Sequence, residues 1–139
     1  MALPLLSRHG KVCMIDALFN NPNYLAAKKS LDAVALRQEA IANNIANLET
    51  PGYRRVDLAP SFKAELERAV AAGDSHQIAS VRPALSADPS AVPMGRDGNT
   101  VNLEKEMMEL NSNMLTHALE TQLISGALLK LKLAITGKS

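Results

Sequence analysis

The chain has 139 residues, of which 47% are hydrophobic and 21% charged, and its formal net charge is +1. This length and balance predict one folded domain rather than a disordered polar tract. The sequence has no dense run of lysine or arginine, and no apolar run near the roughly 20 residues that cross a bilayer, so we expect neither a nucleic-acid partner nor direct membrane insertion.

Residues 1–20 are interpreted as a flexible N-terminal lead. The pattern of polar and apolar residues becomes coherent only from Met14, so residues 1–13 are either part of this lead or an over-extended gene start. The single cysteine, Cys13, excludes an intramolecular disulfide and does not indicate a cellular compartment.

Residues 21–49 are predicted to form a long N-terminal helix. Asn21 can cap its start, and Pro22 suits the first helical position. From Tyr24 to Leu48, steps of three and four residues keep apolar side chains on one face, which only Gln38 interrupts. The candidate seam residues of this helix are Leu31, Val34, Ile41, Ile45 and Leu48.

Residues 50–100 are predicted to hold a turn, one short helix and an irregular connector. The Pro51-Gly52 pair suits the centre of a type II turn. A short amphipathic helix is indicated by apolar residues at intervals of four, which are Phe62, Leu66 and Val70. Proline and glycine recur through residues 73–100, which predicts a mobile connector rich in both.

Residues 101–139 are predicted to form a second, longer helix. Asn102 can cap its start, and Glu104 and Glu106 in the first turn complement the helix macrodipole. Its heptad positions are mostly apolar, which places a second seam along most of its length. The candidate seam residues of this helix are Leu103, Met107, Leu110, Met114, Ile124, Leu128, Leu131 and Ile135.

Together these elements predict an all-α fold in which the two long terminal helices pair as an antiparallel coiled coil. An isolated pair would leave each seam partly wet, so burial within one chain only marginally offsets the entropy lost on folding. Helices of other chains would complete the burial, and contacts that do not close on themselves make a filament. The sequence therefore predicts a self-assembling structural protein.

No combination of side chains indicates catalysis, a cofactor or a metal site. His9 and His76 lie in expected loops and have no second ligand at metal spacing. His117 lies on the seam of the last helix, and a histidine phosphotransfer domain would also carry its reactive histidine on a long helix. Glu120 follows within one turn and would repel a phosphoryl group, so we interpret His117 as a polar seam position.

Two segments are specific enough to indicate a family. The segment from Ala42 to Tyr53, Ala-Asn-Asn-Ile-Ala-Asn-Leu-Glu-Thr-Pro-Gly-Tyr, resembles the signature near the N-terminus of bacterial flagellar rod and hook proteins. The segment from Asp97 to Met107 is similar to the one that opens the C-terminal helix of proximal rod proteins. The family motif comprises Asn43, Asn44, Asn47, Thr50, Pro51, Gly52 and Tyr53.

The resemblance implies a structural subunit of the proximal rod of the flagellar basal body, part of the motor drive shaft, with no enzymatic activity and no cofactor. It also implies export from the cytoplasm through the flagellar type III apparatus without a cleaved signal peptide, and a location in the periplasmic rod. The implied partners are other rod subunits, the ring-to-rod adaptor, the inner-membrane ring and the export apparatus. From periodicity alone, the alternative is a soluble coiled-coil adaptor that forms a closed oligomer.

Overall fold

The computed structural model describes residues 19–137, so residues 1–18 of the expected lead lie outside the described part of the chain. In chain order the elements are α1 (Pro22–Ala46), β1 (Val56–Leu58), α2 (Pro60–Ala72), α3 (Ser75–Ser80), β2 (Leu85–Ala87) and α4 (Leu103–Thr136). Helices dominate, which confirms the predicted all-α class with two long terminal helices. The strands form a two-stranded antiparallel sheet that the sequence pattern did not predict.

α1 begins and ends at residues that satisfy its free backbone groups. The Asn21 side chain accepts a hydrogen bond from the Asn23 N–H, and Pro22 lies in the first turn, as predicted. At the other end, the Asn47 N–H donates to carbonyls of the last turn. An asparagine cap followed by proline is typical of a helix start, which explains why the start of α1 could be predicted from the sequence. The end lies at Ala46, three residues before the expected residue 49.

Within the predicted connector, the structure places the short helix α3 and the strand β2. The Asp74 carboxylate caps α3 by accepting hydrogen bonds from the N–H groups of His76 and Gln77. Leu85–Ala87 then pairs with Val56–Leu58 in a register that sets Ser86 opposite Asp57. A strand of three residues is too short to show an alternating pattern, so composition alone could not indicate it.

The main apolar core lies between α1 and the middle of the chain, rather than between the two long helices. One face of α2 packs against this core. The helix is capped at its C-terminal end by Gly73, which has a left-handed φ of 66°. The buried core residues are Ala33, Phe62, Leu66, Ala69, Ile78 and Val81. The middle segment thus supplies five of the six residues of this core.

α4 has 34 residues and, at about 1.5 Å per residue, extends roughly 50 Å. Asn102 caps its start by accepting a hydrogen bond from the Lys105 N–H. Near that start Glu106 contacts Asn44 at the end of α1, whereas Ile124 further on lines a cleft with residues from the beginning of α1. The two long helices therefore lie side by side and run in opposite directions; a coiled-coil packing between them stays a prediction.

Candidate assembly site

Asn44, a motif residue at the end of α1, is fully buried. Its side-chain amide bonds to the backbone of β1 as a neighbouring strand would. Its Nδ2 donates to the Val56 carbonyl at 2.8 Å, and its Oδ1 accepts from the Val56 N–H at 3.0 Å. A side-chain amide carries the donor and the acceptor that this double contact requires. Nδ2 also donates to Glu106 Oε2 at 3.1 Å, so Asn44 joins α1, β1 and α4.

The segment from Thr50 to Tyr53 reverses the chain after α1. The Tyr53 N–H donates to the Thr50 carbonyl at 3.2 Å, and Gly52 has a φ of 71°. Because Pro51 cannot adopt a positive φ, the positive φ of the next residue identifies the predicted type II turn. The Gly52 N–H donates to the Asp97 carbonyl at 2.8 Å, which ties the turn to the segment that leads into α4.

Other asparagines satisfy the carbonyls at the end of α1. Asn47 Nδ2 donates to the Asn43 carbonyl at 2.8 Å, and Asn47 Oδ1 accepts from Thr50 Oγ1 at 3.2 Å. Asn99, in the segment before α4, is buried, and its Nδ2 lies 2.8–3.0 Å from the carbonyls of Asn47, Leu48 and Thr50. A helix end leaves such carbonyls free, and here one distant side chain satisfies several of them.

Arg55 and Glu106 form a buried ion pair between the segment before β1 and α4. Arg55 Nε donates to Glu106 Oε1 at 2.6 Å, and the two side chains are 1% and 0% exposed. Arg55 Nη1 also donates to Asp57 at 2.9 Å and to Asp88 at 2.7 Å. We name Asn44, Arg55, Asp57, Asp88 and Glu106 the polar clamp, because these side chains connect α1, the sheet and α4.

Hydrogen bonds and ion pairs keep Arg55 and Asp88 of the polar clamp charged. Burial lowers the pKa of Arg55, but hydrogen bonds to Glu106 and Asp57 outweigh burial and raise this pKa above its ordinary value. A hydrogen bond from the Ser90 side chain is the largest cause that lowers the pKa of Asp88 to about 2, against the opposing effect of burial. Both groups are therefore ionised throughout the physiological pH range.

A second polar contact lies one heptad further along α4. Asn113 is buried, and its Nδ2 donates to the Val34 carbonyl at 3.0 Å and to Gln38 Oε1 at 2.9 Å. Gln38 is the residue that interrupts the apolar seam of α1, and its polar side chain is bonded to Asn113 of α4. Between the two contacts, Arg37 Nη2 donates to Glu109 Oε2 at 2.8 Å.

The sequence pattern did not indicate Arg55, Asn99, Glu106 or Asn113 as site residues. The place of Glu106 in the first turn predicts that it complements the helix dipole, whereas its side chain is buried in the protein. Glu106 and Asn113 are one heptad apart, but the exposed Glu104 and Asn111 have the same spacing, so no signal in the sequence distinguishes the buried pair.

The side of α4 that faces away from α1 exposes large aliphatic side chains. Its outer face comprises Met108, Leu115, Leu119 and Leu129, which are 56% to 72% exposed. Leu123 is also exposed but lines the cleft with the beginning of α1. Between Met107 and Leu129 the only Asp, Glu, Lys or Arg residues are Glu109 and Glu120. Glu109 bonds to Arg37, and the half-buried Glu120 lines a cleft with Phe62 of α2. The outer face therefore carries no charge.

The predicted seam residues occupy different environments. Val34 and Ile41 of α1 are buried. The half-buried seam residues are Leu31, Ile45, Leu48, Leu110, Ile124 and Leu131. The exposed seam residues all belong to α4, and they are Leu103, Met107, Met114, Leu128 and Ile135. Their burial against other chains stays a prediction.

Within residues 19–137, no group of three or more His, Cys, Asp or Glu side chains could hold a metal ion. His117 is exposed and lies in a cleft with Gln38 and Met114. Over the same described stretch, none of the helices combines the length and the apolarity that a bilayer span requires.

Comparison with known proteins bears on the motif turn and on both long helices. Residues 27–54 match the family described as flagella basal body rod protein. The flagellar basal body rod protein FlgB of Borrelia hermsii is 30% identical over 115 residues, which cover 70% of this chain and 83% of that protein. The chain belongs to the FlgB family. FlgB of Escherichia coli K12 is 29% identical over 71% of this chain and 82% of its own length, and FlgB of Bacillus subtilis 168 is 28% identical over 79% and 90%.

Family membership makes the chain a structural rod subunit of the flagellar basal body and not an enzyme. It confirms the predicted class and decides against the phosphotransfer domain and the closed coiled-coil adaptor. The matched segment holds most of α1 and the motif turn, where Asn44 and Asn47 make the contacts described above. The motif residues thus hold the rod subunit together internally, at the end where α1 meets α4.

Proposed function

We propose that this rod subunit assembles into the proximal rod by burying the outer face of α4 against helices of neighbouring axial subunits. The observation that carries this proposal is the absence of charge from an exposed helix face that is rich in large aliphatic side chains. In this position the subunit forms part of the shaft that transmits rotation for motility.

Solvated helix faces usually carry charge, as the outer side of α1 does with Lys28, Asp32 and Glu39. α4 instead exposes large aliphatic residues over several turns. Contiguous apolar surface of this kind marks a protein contact. We therefore infer that other helices cover α4 from outside in the assembled rod.

The free energy gained by covering the outer face indicates whether one neighbouring subunit is enough for stable association. Fully burying one large aliphatic side chain stabilises by about 1.5–3 kcal/mol, so covering the exposed part of the outer face contributes roughly 4–8 kcal/mol. Association costs on the order of 4–15 kcal/mol in lost freedom of movement. One such contact is therefore too weak to hold two dilute chains together, and we expect an isolated monomer that assembles only among several neighbours.

The same proposal gives the location and the partners of the subunit. Family membership supports association with other basal-body rod components, and we extend this to the ring-to-rod adaptor and the inner-membrane ring. We propose that the subunit passes through the flagellar type III export apparatus without losing a signal peptide. The protein should then remain in the cytoplasm when the export gate is inactivated, and its mass in purified basal bodies should show no cleavage by signal peptidase.

The test of assembly is complementation of a strain that lacks the gene. Leu115→Asp/Leu119→Asp places two carboxylates in the outer face, where a covering helix would have to desolvate them. We expect the purified variant to unfold at the wild-type temperature, because both side chains are exposed in the monomer. In cells it should be expressed but absent from basal bodies, and the strain should not swim.

The control is Ala64→Asp, which adds one carboxylate at an exposed position of α2, outside the outer face. This control should swim normally. Normal swimming and normal recovery of the Leu115→Asp/Leu119→Asp variant in basal bodies would contradict the proposed function.

A further inference from the structure

We propose that the polar clamp fixes the register of α4 along α1, and through it the place at which the outer face is presented to neighbours. This inference rests on the proposed function, because the register matters for assembly only if the outer face must contact another subunit at a defined position along the helix axis. In this role Arg55 and Glu106 are positioning residues, and stabilising the fold is secondary.

The apolar contacts between the helices do not select one alignment by themselves. Beyond Asn113, the residues of α4 that are half-buried, among them Ile124, Ala127 and Leu131, are mostly aliphatic. Aliphatic residues that recur at heptad spacing interdigitate in more than one alignment, and helices are known to slip by one turn of about 5.4 Å. The apolar contacts therefore hold α4 against α1 without fixing the position of α4 along the axis of α1.

The polar contacts do select one alignment. Glu106 bonds to Arg55 and Asn44, and one heptad away Asn113 bonds to the Val34 carbonyl. A shift of four residues would bring Asn102 or Leu110 to the position of Glu106, and neither supplies the carboxylate that the buried Arg55 needs. A shift of three residues would bring Glu109 there, but it would break the ion pair between Glu109 and Arg37. A single buried polar residue on a helix seam is a known means of fixing register.

The composition of the polar clamp favours positioning over stability. The side chains of Arg55 and Glu106 are 1% and 0% exposed, so both charges have lost their hydration. Replacing such a pair by well-packed apolar residues is often neutral or even stabilising. Within residues 19–137, Arg55 Nη2 is moreover left without a hydrogen-bond partner. Apolar side chains would serve stability at least as well here, but they would not distinguish one register from the next.

The test measures the distance between spin labels on the two helices of the full-length chain by double electron–electron resonance. Cysteines replace the exposed residues Asp32 on α1 and Lys132 on α4, in a Cys13→Ser background. Arg55→Met/Glu106→Leu removes both charges of the pair together. We expect one narrow distance in the labelled chain with the clamp intact, and in the variant a second population displaced by up to about 5.4 Å, one helical turn.

The control is Lys63→Met/Glu67→Leu, which removes an exposed ion pair on α2 and should keep the single distance. If Arg55→Met/Glu106→Leu changes only the unfolding temperature and keeps one narrow distance, the clamp is merely structural and the inference is wrong. If circular dichroism shows that this variant does not fold, Gln38→Leu/Asn113→Leu decides: a second population supports register control, and an unchanged single distance overturns it.

Failure of the proposed function would look different from failure of this inference. If the unaltered protein does not co-purify with basal bodies, the proposed function fails whatever the distances show. If it does, and the Arg55→Met/Glu106→Leu variant has two distances and fails to swim, the inference is supported. Two distances together with normal swimming would overturn it, because register would then have no consequence for assembly.

Discussion

The two sections of α4 are held by different kinds of contact. The clamped section, residues 103–113, contains the buried Glu106 and Asn113 and the paired Glu109. In the open section, residues 114–136, no residue is buried. Both sections belong to one regular helix, so the difference lies in what surrounds the helix and not in its propensity to form.

This difference separates the stability of the subunit from its capacity to assemble. The polar contacts of the clamped section are made within one chain, so removing them should lower the stability of the monomer. The apolar side chains of the open section have few neighbours within the described chain, so replacing them should mainly impair assembly into the rod. Substitutions in the two sections should therefore affect different measurements.

The largest effect on stability is expected from Glu106→Leu. This change leaves the buried Arg55 without its closest carboxylate, and breaking a buried pair from one side costs about 3–5 kcal/mol. Urea unfolding of the purified chain measures it. Glu104→Leu, an exposed change in the same turn, loses only the interaction with the helix dipole and should cost at most about 0.3–1 kcal/mol. A loss below about 1 kcal/mol for Glu106→Leu would show that the clamped section is not held by this pair.

A smaller loss is expected from Asn99→Ala, just before the clamped section. The change removes the amide that donates to the Leu48 carbonyl and accepts from the buried Val101 N–H, and buried polar groups left without a partner cost about 1–3 kcal/mol. The carbonyls of Asn47 and Thr50 keep their backbone partners. Asn111→Ala, at an exposed position of α4, is the control and should have little effect. Equal stability of the two variants would mean that water replaces the Asn99 amide at no cost.

The features that could be predicted from the sequence are local ones. Asn21, Pro22 and Asn102 mark helix starts through contacts with residues two or three positions away. The Pro51-Gly52 turn likewise depends on the conformations that two neighbouring residues allow. Such signals need no knowledge of the rest of the chain, so the sequence alone indicates where α1 and α4 begin and where the chain turns after α1, whereas α1 ends at Ala46 and not at the expected residue 49.

The features that were missed depend on residues far apart in the chain. Arg55 and Glu106 are separated by 51 positions, and either one alone reads as an ordinary surface charge. Ile78 and Val81 were not predicted to be core residues for a similar reason, because they lie among residues whose composition is that of a loop. Long-range pairing of this kind has no periodic signature.

The polar clamp should also make stability depend on acid pH. The pKa of Asp88 is lowered from 3.8 to about 2, so its contribution is complete above pH 3.8 and is lost as the pH falls through about 2. We expect the stability difference between wild type and Asp88→Asn to shrink by about 1–2 kcal/mol across this window, since exposed neighbours weaken the effect. Urea unfolding at several pH values measures the difference, and a constant difference would contradict the assignment.

The smallest effect is expected in the open section, where Gly126→Ala should stabilise the monomer. A Cβ at Gly126 meets no heavy atom within 4 Å, and alanine is favoured over glycine inside a helix by about 0.5–1 kcal/mol. Gly52→Ala is the contrasting variant, because its φ of 71° is unfavourable for alanine and the change should destabilise. Thermal unfolding distinguishes the two signs. A more stable Gly126→Ala monomer that no longer supports swimming would show that a neighbouring helix packs closely on the open section, whereas a less stable one would show that this section is already covered within the subunit.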